Sequence, residues 1–267
     1  MRTINARGAT LPLSLVLLCV MIPGRAQTVH RSWAADNGNG TYSNPLFYDE
    51  FSDPDMIRVG DDYYLTGTTM HTMPGLPILH SRDMVNWRTI AYAFDRLDRG
   101  PDFRLEDGKN IYGGGIWAPS FRYHNGIFYI FANVNHFGLQ VFRASDPRGP
   151  WKHNSIQQGL HDLSVLFDDD GKIYAVYGAR NIHIVELNQG LTDLVPGTDR
   201  VLIDASLGMG EGSHIYKIKG TYYIISAIPG AHVPMKCARA GKLTGPWEVE
   251  TISEDESLGV GQGYRLN

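Results

Sequence analysis

The sequence has 267 residues, 43% hydrophobic and 19% charged, with a formal charge of −4 at neutral pH. That composition supplies a sizeable core and excludes a disordered or collagen-like chain, and the slight acidity argues against a basic track for nucleic acid. In chain order, Arg2 and Arg7 precede an apolar run from Leu11 to Ile22, followed by Gly24-Arg25-Ala26. A basic start, an apolar run too short to span a bilayer and a small-x-small site read as a signal peptide over residues 1–26. The expectation is export, secreted or periplasmic, with no membrane attachment after cleavage behind Ala26. Cleavage would remove three arginines and leave 21 basic side chains against 28 acidic ones. It would also leave Cys237 as the sole cysteine, so no internal disulfide is expected.

Residues 27–43 are polar and glycine-rich and read as a leader or linker. From Asn44 to residue 267 a pattern recurs. Four hairpin signals, "IRVGDDYYLTG", "FRYHNGIFYIFAN", "VLFDDDGKIYAVYG" and "IYKIKGTYYIISA", place aromatic and β-branched residues around a glycine-containing turn. A further strand follows each, and three of these end at Trp87, Trp151 and Trp247. The turn glycines Gly60, Gly126, Gly171 and Gly220 are spaced by 66, 45 and 49 residues. The fold class is all-β. Multi-stranded units at this period predict β-propeller blades, and a β-sandwich with short hairpins remains the alternative.

In a propeller the first strand of each blade lines a shared channel. Ionisable groups there are Asp53 in "FSDPDMIRV", Asp162 in "LHDLSVLF" and Glu211 in "GEGSHIYK"; the second unit begins with Trp117 in "GIWAPSFRY". The three acids read as sharing one phase across three blades. Aspartate before proline is also a common turn starter, and Asp162 on its own reads equally as a turn residue. Asp61, Asp62, Asp168, Asp169 and Asp170 read as hairpin-turn residues. Glu211 gains nothing from packing between glycines, which points to a bent backbone or close approach of a ligand.

Five ordered segments, "NPLFYDEFSDPDMIRVGDDYYLTGTT", "ILHSRDMVNW", "GGGIWAPSFRYHNGIFYIF", "HDLSVLFDDDGKIY" and "GEGSHIYKIKGTYYI", resemble the family 43 glycoside hydrolases. The resemblance runs from about Asn44 to the end. It implies a five-bladed β-propeller of which about four blades are present here, the chain ending before the fifth. It further implies Asp53 as general base, Glu211 as general acid, and Asp162 as the group that tunes and orients the acid. His214 fills the histidine position of the glutamate motif. By the same resemblance the substrate is a plant cell-wall oligosaccharide. Terminal α-L-arabinofuranosyl or β-D-xylosyl units would be removed with inversion, arabinofuranosyl units first.

Sugar binding calls for an apolar wall and a few polar groups. Trp117 is the candidate wall, with a core tryptophan between blades as the equal alternative. His71, Asn133 and His136 are candidates for the pocket rim. A non-catalytic carbohydrate-binding propeller, or an inactive truncated relative, is the competing function. The presence of all three acids favours the enzyme. A fructan-processing propeller is opposed by "SDPDM", which stands where those enzymes open with Asn-Asp-Pro-Asn-Gly. No cofactor is required. Relatives can hold calcium in the channel through a fifth-blade histidine, and no equivalent is found in this sequence. Nothing in the sequence specifies an oligomeric state.

Overall fold

The computed structural model describes residues 33–48, 51–70, 73–230 and 232–255. It divides into a leading segment, Met1–Ala34, and a unit Ala35–Asn267. Of the leading segment only Trp33 and Ala34 are described, both exposed. The expected signal peptide therefore lies outside the described residues. The strands below all belong to the second unit.

Four antiparallel sheets follow one another along the chain, each a simple meander of four strands. Blade 1 is β1 (Ser52–Val59), β2 (Asp62–Thr68), β3 (Gly75–Ser81) and β4 (Arg88–Phe94). Blade 2 is β5 (Ser120–His124), β6 (Ile127–Val134), β7 (Gly138–Ala144) and β8 (Lys152–Ile156). Blade 3 is β9 (Ser164–Phe167), β10 (Ile173–Tyr177), β11 (Ile182–Leu187) and β12 (Arg200–Ile203). Blade 4 is β13 (Glu211–Ile218), β14 (Thr221–Ala227), β15 (Met235–Ala240) and β16 (Glu248–Ser253). The helical content among the described residues is one 3₁₀ turn, Ala205–Leu207.

Turn chemistry sets the hairpin registers. His124 pairs with Ile127 across Asn125 (φ 49°) and Gly126 (φ 80°), and Ile218 pairs with Thr221 across Lys219 (φ 51°) and Gly220 (φ 83°). Two left-handed residues in a two-residue loop match the right-handed twist of the flanking strands.

Cores form between consecutive sheets, not between two large ones, which decides for the propeller over the sandwich. Ile78, Phe121, Ile130 and Phe142 pack between blades 1 and 2. Phe131, Val141, Val165 and Val185 pack between blades 2 and 3. Leu166, Ile184, Ile215 and Ile224 pack between blades 3 and 4. Each fully buried side chain of this kind contributes roughly 1.5–3 kcal/mol. Between blades 4 and 1 lies a cavity of ≈ 550 Å³, lined by Phe51, Met56, Leu65, Tyr216, Ile225 and Met235 among others. This is where the resemblance places a fifth blade.

Ahead of blade 1, residues 35–43 form a tight turn closed by Ser43 N–H donating to Ala35 O (2.8 Å). The Asn86 amide anchors it through Asp36 Oδ2 (2.8 Å).

A repeated polar clasp fixes the innermost strands. Phe121 N–H donates to Asp55 Oδ2 (2.8 Å), Val165 N–H to Ser120 Oγ (3.0 Å), and Ile215 N–H to Ser164 Oγ (3.0 Å). Asp55, Ser120, Ser164 and His214 thus hold equivalent positions on β1, β5, β9 and β13. Arg122 joins the clasps. Its Nη1 donates to Asp55 Oδ2 (2.6 Å), Nη2 to Ser164 Oγ (2.6 Å) and Nε to Val165 O (2.6 Å). One guanidinium thereby binds blades 1, 2 and 3, and reaches blade 4 through Ser164.

Asp168 does more than start the β9–β10 turn. Its carboxylate is buried and accepts from Lys217 Nζ (2.6 Å) and Tyr222 Oη (2.7 Å), tying blade 3 to blade 4. The reading of Asp168 as a turn residue alone is corrected: it stands where β9 ends against the next blade, so its side chain meets β13 and β14.

Candidate active site

Asp53, Asp162, Glu211 and His214 border one recess of ≈ 50 Å³, with Ala118, Pro119, Leu163 and Ser213 completing much of its wall. That is room for a water molecule. The clasp positions allow the blades to be aligned. Two residues before each clasp stand Asp53, Ala118, Asp162 and Gly212, and all four line the recess. Three of them are left-handed: Asp53 (φ 46°), Asp162 (φ 47°) and Gly212 (φ 63°). Such backbone is strained for an aspartate, and strain of this kind collects at functional sites.

Contrary to the expectation from sequence, Glu211 therefore does not share the phase of the two aspartates. It stands one residue earlier, in the phase of Trp117 and His161. The bulge between Glu211 and His214 in the β13–β14 pairing, mirrored between Ser52 and Asp55 in β1–β2, redirects these side chains. The flanking glycines have separate causes. A Cβ on Gly210 would lie 1.9 Å from Ala227 O, so the close strand leaves no room there. Gly212 supplies the left-handed residue beyond the acid.

The electrostatics are those of crowded carboxylates. Burial pushes the Asp162 carboxyl above its ordinary range, and repulsion from Glu211 adds to this. His161, the Gly212 N–H (3.2 Å) and His214 act in the opposite direction. Beneath the recess, Asp55 is almost fully buried. Burial alone would raise its carboxyl, but Arg122, His214 and the Phe121 N–H outweigh it and hold the group below its ordinary range. His214 Nδ1 lies 3.5 Å from Asp55 Oδ1, joining the recess to the polar centre of the ring.

The remaining sequence candidates are more scattered. Trp117 is half-buried, with Nε1 donating to Gly113 O (3.1 Å), and its ring meets His161 edge-on at 6.3 Å between centroids. Asn133 is buried and bonds both the N–H and the C=O of Leu160, bracing β6 against the segment before β9. His136 is exposed in the β6–β7 turn. Neither Asn133 nor His136 is among the residues bordering the recess. His71 lies outside the described residues.

Sequence reasoning passed over three residues that the structure brings in: Asp55, Arg122 and His161. Asp55 carried a signal, an acid where blades 2 and 3 use serine, but only the clasp geometry makes that alignment visible. His161 Nε2 lies 3.5 Å from Asp162 Oδ2 and 3.7 Å from Glu211 Oε2. His161, Asp162 and Glu211 are the described residues whose donor atoms, within 4.8 Å of one another, could hold a metal ion.

Four-stranded blades with carboxylates from separate blades around one water-sized recess place the protein in the β-propeller class, with the kind of carboxylate grouping that glycoside hydrolysis uses. The profile of the Glycosyl hydrolases family 43 matches residues 42–254, and the chain belongs to that family. It is 32% identical over 260 residues to a beta-xylosidase from Formosa agariphila, covering 86% of this chain and 43% of that protein. It is 33% identical over 225 residues to a non-reducing end alpha-L-arabinofuranosidase from Bacteroides ovatus, covering 80% of this chain and 41% of that one. Among solved structures it matches a bifunctional GH43-CE protein of Bacteroides eggerthii with a TM-score of 0.76 and 38% identity, over 80% of this chain and 29% of that chain. The chain spans about two fifths of the length of these curated relatives.

Proposed function

We propose that this domain hydrolyses terminal β-D-xylosyl or α-L-arabinofuranosyl units of plant cell-wall oligosaccharides with inversion. The observation that carries the reading is that Asp53 of blade 1, Asp162 before blade 3 and Glu211 of blade 4 border one recess. In the proposed reaction Asp53 takes a proton from water as its oxygen attacks the anomeric carbon. Glu211 gives a proton to the glycosidic oxygen, which leaves with the bonding electron pair. Asp162 orients Glu211 across the recess. Two carboxylates suffice for this chemistry and no cofactor enters it. Relatives named for xylosidase and for arabinofuranosidase activity both support the substrate class. Export is proposed from the basic, apolar and small-residue pattern of residues 1–26.

The test is product release from nitrophenyl β-D-xyloside, nitrophenyl α-L-arabinofuranoside, xylobiose and linear arabinan, compared with Asp53→Asn. Sugar released from a glycoside by the parent and lost in the variant supports the reading. A parent that binds these sugars and cleaves none would favour the carbohydrate-binding alternative.

A further inference from the structure

Trp117, His161 and Glu211 occupy one phase on successive blades, each three residues before the clasp position of its own strand. They also meet in that order. The Trp117 backbone N–H donates to Asn133 O (2.8 Å) and its indole Nε1 to Gly113 O (3.1 Å), so the ring is held at both ends. The His161 imidazole stands edge-on to it, with 69° between planes. The His161 carbonyl accepts from Gly178 N–H (2.8 Å), which fixes the backbone on the other side. Held this way, the imidazole presents Nε2 to Asp162 Oδ2 at 3.5 Å and Glu211 Oε2 at 3.7 Å.

The Glu211 side chain carries three torsions, and Gly210 and Gly212 on either side of it add no side chain that would restrict them. We propose that His161, buttressed by Trp117, is a positioning residue that aims the Glu211 carboxyl at the leaving oxygen; this rests on the reading of Glu211 as the acid. A separation of 3.7 Å is longer than a hydrogen bond, and contacts of this kind close when substrate fills the site. His161 exchanges no proton in the step. The Glu211 proton goes to the glycosidic oxygen, the C–O electron pair stays with that oxygen, and the proton of the attacking water goes to Asp53. As Glu211 becomes a carboxylate, an N–H on Nε2 gives it a charge-assisted hydrogen bond that strengthens toward the transition state.

The test compares His161→Phe, which keeps a ring against Trp117, with His161→Gln, which keeps a donor. A misplacement of about 1 Å costs on the order of 100-fold. His161→Phe should therefore lose about 10- to 100-fold in kcat on xylobiose, whose leaving group needs protonation. On an activated nitrophenyl glycoside it should lose less than about threefold. His161→Gln should recover most of the loss. In a Glu211→Gln background, His161→Phe should cost almost nothing further, because the two act as a unit. Equal losses on both substrates, equal losses for Phe and Gln, or a full additional loss in the Glu211→Gln background would each overturn the positioning role. If Glu211→Gln itself shows no dependence on the leaving group, the acid assignment falls instead. Melting temperatures of all variants separate either result from misfolding.

Discussion

Replacing Arg122 by methionine tests how the ring is held together. The guanidinium makes contacts of 2.6 Å to Asp55, Ser164 and Val165 O, and the Asp55 side chain opposite it is 2% exposed. Methionine fills much of the same space, so the loss is electrostatic more than volumetric. Removing one partner of a buried ion pair leaves the other charge uncompensated, at a cost of about 3–5 kcal/mol. Against a total stability of roughly 5–15 kcal/mol, that is a large fraction. For a domain of this size each kcal/mol moves the melting temperature by about 2–4 °C, so the expected drop is about 6–20 °C. Calorimetry or urea unfolding followed by tryptophan fluorescence reads it. The structure also supplies the rescue. Ser120 and Ser164 perform in blades 2 and 3 the clasp that Asp55 performs in blade 1. Asp55→Ser combined with Arg122→Met should keep the Phe121 N–H satisfied and remove the stranded charge, so the double variant should be more stable than Arg122→Met alone. A cost below about 1 kcal/mol for the single variant, or a double variant no better than it, would refute the account.

Asp53→Asn and Glu211→Gln should each cut turnover by several orders of magnitude, Asp162→Asn by less, and only the Glu211 variant should be partly rescued by an activated leaving group; steady-state kinetics on two leaving groups decides. Proton NMR in the first minutes of hydrolysis should show the anomer opposite to that of the cleaved bond, whereas retention would require a covalent intermediate and a different carboxylate pair. Burial opposes ionisation of Asp168, but the hydrogen bonds from Lys217 and Tyr222 outweigh it and hold its carboxyl below the ordinary range. Such a depressed group stabilises the fold above its unfolded value near pH 4 and loses that contribution as pH falls through the folded value. Lys217→Met should therefore be less stable than the parent at neutral pH, with the gap narrowing in acid; a gap independent of pH would contradict the pairing. The apolar cavity between blades 4 and 1 predicts that residues 27–267 made alone self-associate or bind an apolar dye; a sharply melting monomer by light scattering would refute this.

The hairpins were legible because turn chemistry is local. Asn125-Gly126 and Lys219-Gly220 needed nothing beyond their neighbours to specify two left-handed residues. The blade period was legible for the same reason, since each unit repeats the same short-range grammar. The acids were found as residues, but their alignment across blades was read one position out. Sequence spacing treated Asp53, Asp162 and Glu211 as equivalents. The clasps show that Gly212 is the equivalent of the aspartates, a register set by the Ile215 to Ser164 hydrogen bond between blades, which no spacing rule marks. Asp168 was misread for a related reason: its own loop explains its backbone, and only the neighbouring blade explains its carboxylate.

That one-residue offset has a chemical consequence. Two groups in the same phase on different blades would face the channel alike and would be driven toward like environments. Base and acid need unlike environments, one ionised and one able to hold a proton. Glu211 stands a position before the aspartate phase, beside His161 and Asp162, while Asp53 borders the recess from blade 1. Gly212 takes the left-handed position that Asp53 and Asp162 hold on their own strands, so the carboxyl of blade 4 stands one residue earlier, at Glu211. Gly210 sets how close β14 can run and Gly212 sets where the acid stands, so the glutamate between glycines is a site built by the backbone before any side chain contributes.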